Sequence, residues 1–189
     1  MKTIKLFFTA TAVIAIAQSS MAKANKIGIY LTSDDYVNHK LSYETDGKDG
    51  KIRLNEMFGS GKIVVVEHGE RQVLSKKQIF GYCLNNEDYR YYNNTAYRII
   101  DTQGFIIYSS SKLVPAGKGS KPAVFYFFSA KPEADIKELT MDNLQEVFST
   151  DTKFLYSVAS LFRSDNELAA FDPNLKTYKI KYLYEQTLK

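Results

Sequence analysis

Tryptophan is absent from this 189-residue chain, cysteine occurs once, histidine twice and proline four times. A single cysteine, Cys83, cannot form an internal disulfide, so apolar burial has to hold the fold together. With only His39 and His68 as imidazoles, no H-x-x-x-H or C-x-x-C spacing exists to ligate a metal. A Ser-His-Asp system would depend on one of those two histidines, and the G-x-S-x-G elbow is missing. A strong excess of either charge is also lacking. Without Lys2 and Lys5 the 25 basic residues become 23, against 21 acidic ones. That balance argues against a dedicated nucleic-acid binder, which carries a concentrated basic face.

Apolar runs are short everywhere except near the start. Lys2 and Lys5 precede the apolar stretch Leu6 to Ala17, and Ser20-Met21-Ala22 supplies the small-x-small pattern that signal peptidase accepts. Residues 1–22 are therefore expected to be a signal peptide cut after Ala22, although Ala22-Lys23-Ala24 would also fit a cut after Ala24. The run falls short of the roughly 20 residues a membrane-spanning helix needs. The expectation is an exported protein, periplasmic or extracellular, with no membrane span after signal cleavage. Residues 23–189 suffice for a single domain that buries about 70% of its unfolded surface.

Short strand-like runs fill residues 26–130. Lys26 to Leu31 opens them, and Thr32-Ser33-Asp34-Asp35 suits a helix cap or turn. His39 to Glu44 and Lys51 to Leu54 flank Asp46-Gly47 and Asp49-Gly50, dipeptides that favour hairpin turns. Lys62 to Glu67 carries four consecutive apolar residues, the pattern of a strand buried on both faces. Breaks at Asn85-Asn86, Asn93-Asn94 and Gln103-Gly104 then separate Lys77–Leu84, Tyr89–Asn93, Thr95–Asp101 and Phe105–Ser109. Val124 to Phe128 is a second fully apolar run.

The period changes over residues 139–188. Phe154, Leu155, Val158, Leu161 and Phe162 fall on one helical stripe, behind a helix that Thr140 would cap. Ser164 and Glu167 form a capping-box pattern opening a helix through Phe171, and Asp172-Pro173 resembles the start of another. Residues 174–188 fit helix or strand, with the cap favouring helix. The predicted fold is α+β: an antiparallel β-barrel or sandwich of about nine or ten short strands, followed by C-terminal helices packed on it.

Residue types that carry chemistry are sparse. Cys83 lies in an apolar alternating strand, where a free cysteine acts as a small hydrophobe rather than a nucleophile. Glu44, Asp46 and Asp49 suggest a calcium loop, but Lys48 occupies a ligand position. Gly117-Lys118-Gly119-Ser120 lacks the full phosphate-loop pattern. Asp34 and Asp35 are paired acids that serve either hydrolysis or a helix cap. The tyrosines are the stronger signal. Tyr89, Tyr91, Tyr92, Tyr97 and Tyr108, interspersed with Arg90 and Arg98, offer rigid aromatic area and forked donors for stacking on a glycan or gripping a peptide. Alternation turns half of these rings inward, and Arg90, Tyr91 and Arg98 are the predicted ligand-facing set.

The runs GIYLTSDDYVNHKLSYE, IFGYCLNNEDYRYYNN, ELTMDNLQEVF and SDNELAAFD resemble small exported bacterial proteins of an uncharacterised family. The likeness covers nearly all of residues 23–189. It implies a protein of unknown function and assigns no catalytic or binding residue. The reading of the residues is a non-catalytic binding or structural module, taking a protein, peptide or glycan partner and no cofactor or metal. A hydrolase using Asp34 or Asp35 is the alternative.

Overall fold

The computed structural model describes residues 27–45, 50–55 and 60–189. The expected signal peptide, the Asp46–Asp49 turn with its calcium-loop reading, and Gly59 lie outside the described residues. The chain order is β1 (Ile27–Tyr30), α1 (Ser33–Val37), β2 (Tyr43–Thr45), β3 (Gly50–Arg53), β4 (Lys62–Glu67) and β5 (Glu70–Ser75). A 3-10 turn at Lys76–Gln78 leads to β6 (Gly81–Leu84), β7 (Glu87–Tyr92), β8 (Thr95–Asp101), β9 (Ile106–Ala116), β10 (Gly119–Ser129) and β11 (Lys137–Glu138). Then come α2 (Met141–Val147), α3 (Thr152–Leu161), α4 (Asp165–Leu168), β12 (Phe171–Asp172), β13 (Thr177–Tyr178) and α5 (Lys179–Thr187).

Asparagine makes the central turns. Asn85-Asn86 joins β6 to β7 and Asn93-Asn94 joins β7 to β8, with φ of 54°, 63°, 47° and 65°. Two-residue loops with both φ positive match the right-handed twist of the strands they connect. The meander they produce is the centre of an eight-stranded antiparallel sheet, ordered β11-β10-β9-β8-β7-β6-β1-β2. A separate three-stranded sheet runs β3-β4-β5, and β12 pairs with β13. The molecule is mainly antiparallel α+β and sandwich-like.

The barrel alternative is corrected, since the large sheet is open. Its edge strands, β2 and β11, have three and two residues and are too short to join into a closed wall. The strands-first, helices-last order is corrected as well. α1 intervenes between β1 and β2, because Thr32 and Asp35 form a reciprocal capping box there. β4 is not buried on both faces. Ile63 and Val65 are buried while Val64 and Val66 are only partly covered, as in a sheet with one solvated side.

Register shows what covers the large sheet. Tyr82 pairs with Tyr89, Tyr89 with Arg98, Arg98 with Ser109, and Ser109 with Tyr126, so this row shares one face. At one end of that face Ile29, Tyr82 and Tyr91 pack against Ile52, Ile63 and Val65 of the small sheet. At the other, Phe105, Ile107 and Phe128 pack against Leu144, Phe148, Phe154, Val158 and Ile180 of the helical segment. Two cores therefore sit side by side on one face, separated by an uncovered strip.

Local chemistry fixes the helices. Thr140 accepts a hydrogen bond from the Asn143 amide and Asp151 one from Phe154, starting α2 and α3. The expected Ser164 capping box forms only in part. The Ser164 side chain makes no cap bond, Glu167 accepts from the Arg163 amide, and Asp165 caps α2 by accepting from the Met141 amide. α4 stops at Leu168, and Phe171 pairs with Tyr178 in a hairpin. Asp172 holds that turn by accepting from the amides of Asn174 and Leu175, so the helix starts at Lys179, not at Pro173. Among the described residues, no helix is long and apolar enough to cross a membrane.

Candidate functional site

The uncovered strip is a groove. Its main cavity, of about 560 Å³, is lined by Tyr82, Tyr89, Ala96, Arg98, Ile100, Ser109, Ser110, Ser111, Val124 and Tyr126, and by Tyr178 of β13. Register turns the Ser110 side chain to the opposite face with Phe125, and Tyr82 is buried behind Tyr89. The lining residues come from five consecutive neighbours in the sheet, β6 to β10, so the groove runs across the strands. A second cavity, of about 460 Å³, shares Arg98, Ile100 and Tyr178 with the first. It continues the groove past the ends of β7 and β8 to Glu87, Asp88 and Asp101, where Tyr36 and His39 line it.

A β-bulge shapes the junction. Ile99 pairs with Tyr108 but Asp101 with Ile107, which leaves Ile100 as the extra residue. Ile100 packs with the helical core, and Asp101 takes an ion pair 3.1 Å from the Lys181 ammonium on α5. Lys181 is fully buried and also donates to the carbonyls of Gln103, at 2.6 Å, and Phe105. Burial pushes its pKa down to about 8, against the pull of the Asp101 charge. This clamp fixes α5 to the turn between β8 and β9 and so sets the position of that end of the groove.

The aromatic part of the floor is rigid. The Tyr82 and Tyr89 rings stack with centroids 4.7 Å apart and planes within 5°. The Tyr89 hydroxyl donates to Glu87 at 3.0 Å, and the same carboxylate holds the Arg98 guanidinium. Arg98 remains 47% exposed, its fork presented to the groove. Burial raises the Tyr178 hydroxyl above its ordinary pKa, with Tyr126 and Asp101 adding to the effect, so it is a hydrogen-bonding phenol at neutral pH. The carboxylates of the second cavity are engaged: Asp88 accepts from the Tyr30 hydroxyl at 3.0 Å, Glu87 holds Arg98 and Asp101 holds Lys181. Among the described residues, no group of three His, Cys, Asp or Glu side chains is placed to hold a metal ion.

The predicted ligand-facing set is not brought together. Arg98 lines the groove, whereas Arg90 is one strand position off that register and points to the opposite face. There it is 5% exposed and donates to the Tyr108 hydroxyl at 3.1 Å and to Ser129 at 3.5 Å. Its guanidinium also lies over the rings of Phe80, Tyr92 and Tyr108. Tyr91 shares the groove's face but is buried beneath the small sheet. Both are packing residues.

Asp34 and Asp35 lie in the first turn of α1. Desolvation acts to raise the Asp35 pKa, but hydrogen bonds from the Thr32 amide, Ser42 and the Thr32 hydroxyl, helped by Lys40, outweigh it and hold the carboxyl below the usual range. Cys83 is buried with Tyr30 and Tyr36. Gly117-Lys118 turns between two strands, without the strand-to-helix setting a phosphate loop requires.

Sequence reasoning missed Tyr126, Tyr178 and the serines Ser109 and Ser111. The serines were visible as a polar interruption after Ile106-Ile107-Tyr108, but Tyr178 reaches the groove from a hairpin 80 residues away from Arg98 in the chain. Comparison with family models, with curated proteins and with solved structures finds no match in any of the three.

Proposed function

We propose that the chain is a non-catalytic binding module that takes an extended glycan along the groove, outside the cytoplasm. The carrying observation is the composition of the floor. Tyrosine rings, the Ser109 and Ser111 hydroxyls and the Arg98 fork line it, and the carboxylates at its far end are already engaged. Because the groove crosses paired strands, the backbone amides and carbonyls beneath it are used in the sheet. A bound peptide would find no free strand edge there, so recognition falls to side chains. Aromatic faces with flanking hydroxyls and a planar donor suit sugar rings. The pattern of residues 1–22 supports export to the periplasm or beyond.

The hydrolase alternative has less support at Asp35. Asp35 is used in the α1 cap and is held ionised, which opposes a general-acid role.

The test is a glycan array followed by calorimetric titration of the strongest hits. Arg98→Ala and Tyr89→Ala should each weaken binding about tenfold, the cost of one charge-assisted hydrogen bond or one stacking face. Arg98→Ala should barely shift the melting temperature, because exposed ion pairs contribute at most about 1 kcal/mol. Peptides outcompeting all glycans, or glycan affinities untouched by both substitutions, would reject this reading.

A further inference from the structure

β9 and β10 pair with each other through eleven residues each, from Ile106/Ser129 to Ala116/Gly119. β8 accompanies β9 only as far as Ser109, and β11 accompanies β10 only at Phe127 and Phe128. From Ser110 outward the hairpin is a two-stranded ribbon, with no third strand among the described residues. If the β8 register continued, Thr95 would fall beside Lys112, so the last four residue pairs extend roughly 13 Å past the sheet.

The ribbon has a distinctive composition. No acidic residue occurs between Asp101 and Glu133, whereas Lys112, Lys118 and Lys121 all lie on the ribbon. Register places Leu113 opposite Pro122 and Ser111 opposite Val124, so these side chains share one face. Leu113 is 72% and Val124 57% exposed. Lys112 lies over the Phe125 and Phe127 rings at the ribbon's base, with Lys121 next to Val114 on the other face and Lys118 in the turn. A proline in each strand removes an N–H, which disfavours addition of a further strand or a second copy at the ribbon edge.

We propose that this ribbon is a membrane-surface arm that docks on an anionic lipid bilayer. Exposed aliphatic side chains beside lysines, with no compensating acid, are what the headgroup boundary accepts. The apolar face enters the acyl margin while the lysine stems reach the phosphates. Nucleic acid is a poorer fit, since the ribbon between Ser110 and Ala123 has neither an arginine nor an aromatic ring to stack on bases. Docking there holds the protein at a lipid surface, with Ser111 and Val124 at the rim that the ribbon shares with the groove.

The experiment is co-sedimentation of the purified protein with phosphatidylcholine vesicles, with and without about one-third phosphatidylglycerol. A DNA duplex serves as the competing polyanion. The expected result is binding to anionic vesicles only, weakened by salt. Lys118→Gln with Lys121→Gln should lower partitioning about 25-fold, at roughly fivefold per lysine. Leu113→Ser should lower it several-fold more, and all three positions are exposed enough to leave the melting temperature in place. Absence of vesicle binding, equal binding to neutral vesicles, or insensitivity to both the lysine pair and Leu113→Ser would overturn the proposal. Tighter binding to the duplex, unaffected by Leu113→Ser, would also overturn it and make the ribbon a polyanion arm. Because Leu113, Lys118 and Lys121 lie outside the groove, the readout stands or falls separately from glycan binding.

Discussion

Lys181 is a fully buried ammonium. Its ammonium is buried against Asp101, two carbonyls and the Phe105 ring, 4.2 Å from the ring centroid. Folding lowers its pKa from 10.5 to about 8, so between those values the unfolded chain binds more protons than the folded one. Stability from this residue is flat below pH 8 and rises above it, by on the order of 1 kcal/mol between pH 8 and 9.5. Tyr30 and Tyr36 act oppositely. Burial, with the nearby Asp88 charge, raises their pKa values, so the unfolded chain loses those protons first and stability falls above pH 10. Thermal melts across pH 7 to 11 should therefore show a maximum near pH 10. Lys181→Met should lose the rise and keep the alkaline fall. A wild-type curve that declines steadily from pH 8 would count against the burial of this ammonium.

The elements depend on small backbone details. Gly81 begins β6, and a Cβ there would lie 1.9 Å from the Tyr89 carbonyl oxygen. Since that atom belongs to the β7 backbone, relief requires the two strands to separate beneath the stacked Tyr82 and Tyr89 rings. Gly81→Ala should cost about 3 kcal/mol or more by urea unfolding, at the upper end of overpacking effects. By contrast, Gly69 has φ of 84° with open space around it, so a substitution there meets backbone strain alone. Gly69→Ala is expected to cost about 1 kcal/mol. Equal losses at the two sites would remove the close-approach argument. Hairpin connections are readable from the sequence at this scale. Asn85-Asn86 and Asn93-Asn94 announce positive φ through residue type alone. The β12–β13 hairpin is not, because Asp172-Pro173 satisfies the rules for a helix start equally well. Only the pairing of Phe171 with Tyr178 decides between them.

At the scale of the whole molecule, one face of the large sheet serves two cores. Ile63 of the small sheet is fully buried against it, and Phe154 is fully buried in the helical layer. Ile63→Ala should cost about 2–5 kcal/mol and Phe154→Ala about 3–5 kcal/mol. Because both cores use the same large sheet as their base, each variant should lower a single calorimetric transition. A biphasic melt in either one would show two independently folding layers and undo the shared-sheet account.

Sequence alone determined the local chemistry of this protein. It specified alternating aromatic strands and asparagine turns, one clear amphipathic helix at Thr152–Leu161, and burial without disulfides. These depend on neighbours within a few positions, which periodicity and residue type report. Tertiary structure decided the faces. Arg90 and Arg98 look equivalent along the chain. Strand register sends one to the aromatic interior and the other to a groove, because a single-residue offset in a pleated strand reverses a side chain. It also brought Tyr178 to Arg98 and Lys181 to Asp101, contacts that separations of about 80 residues conceal from any local pattern.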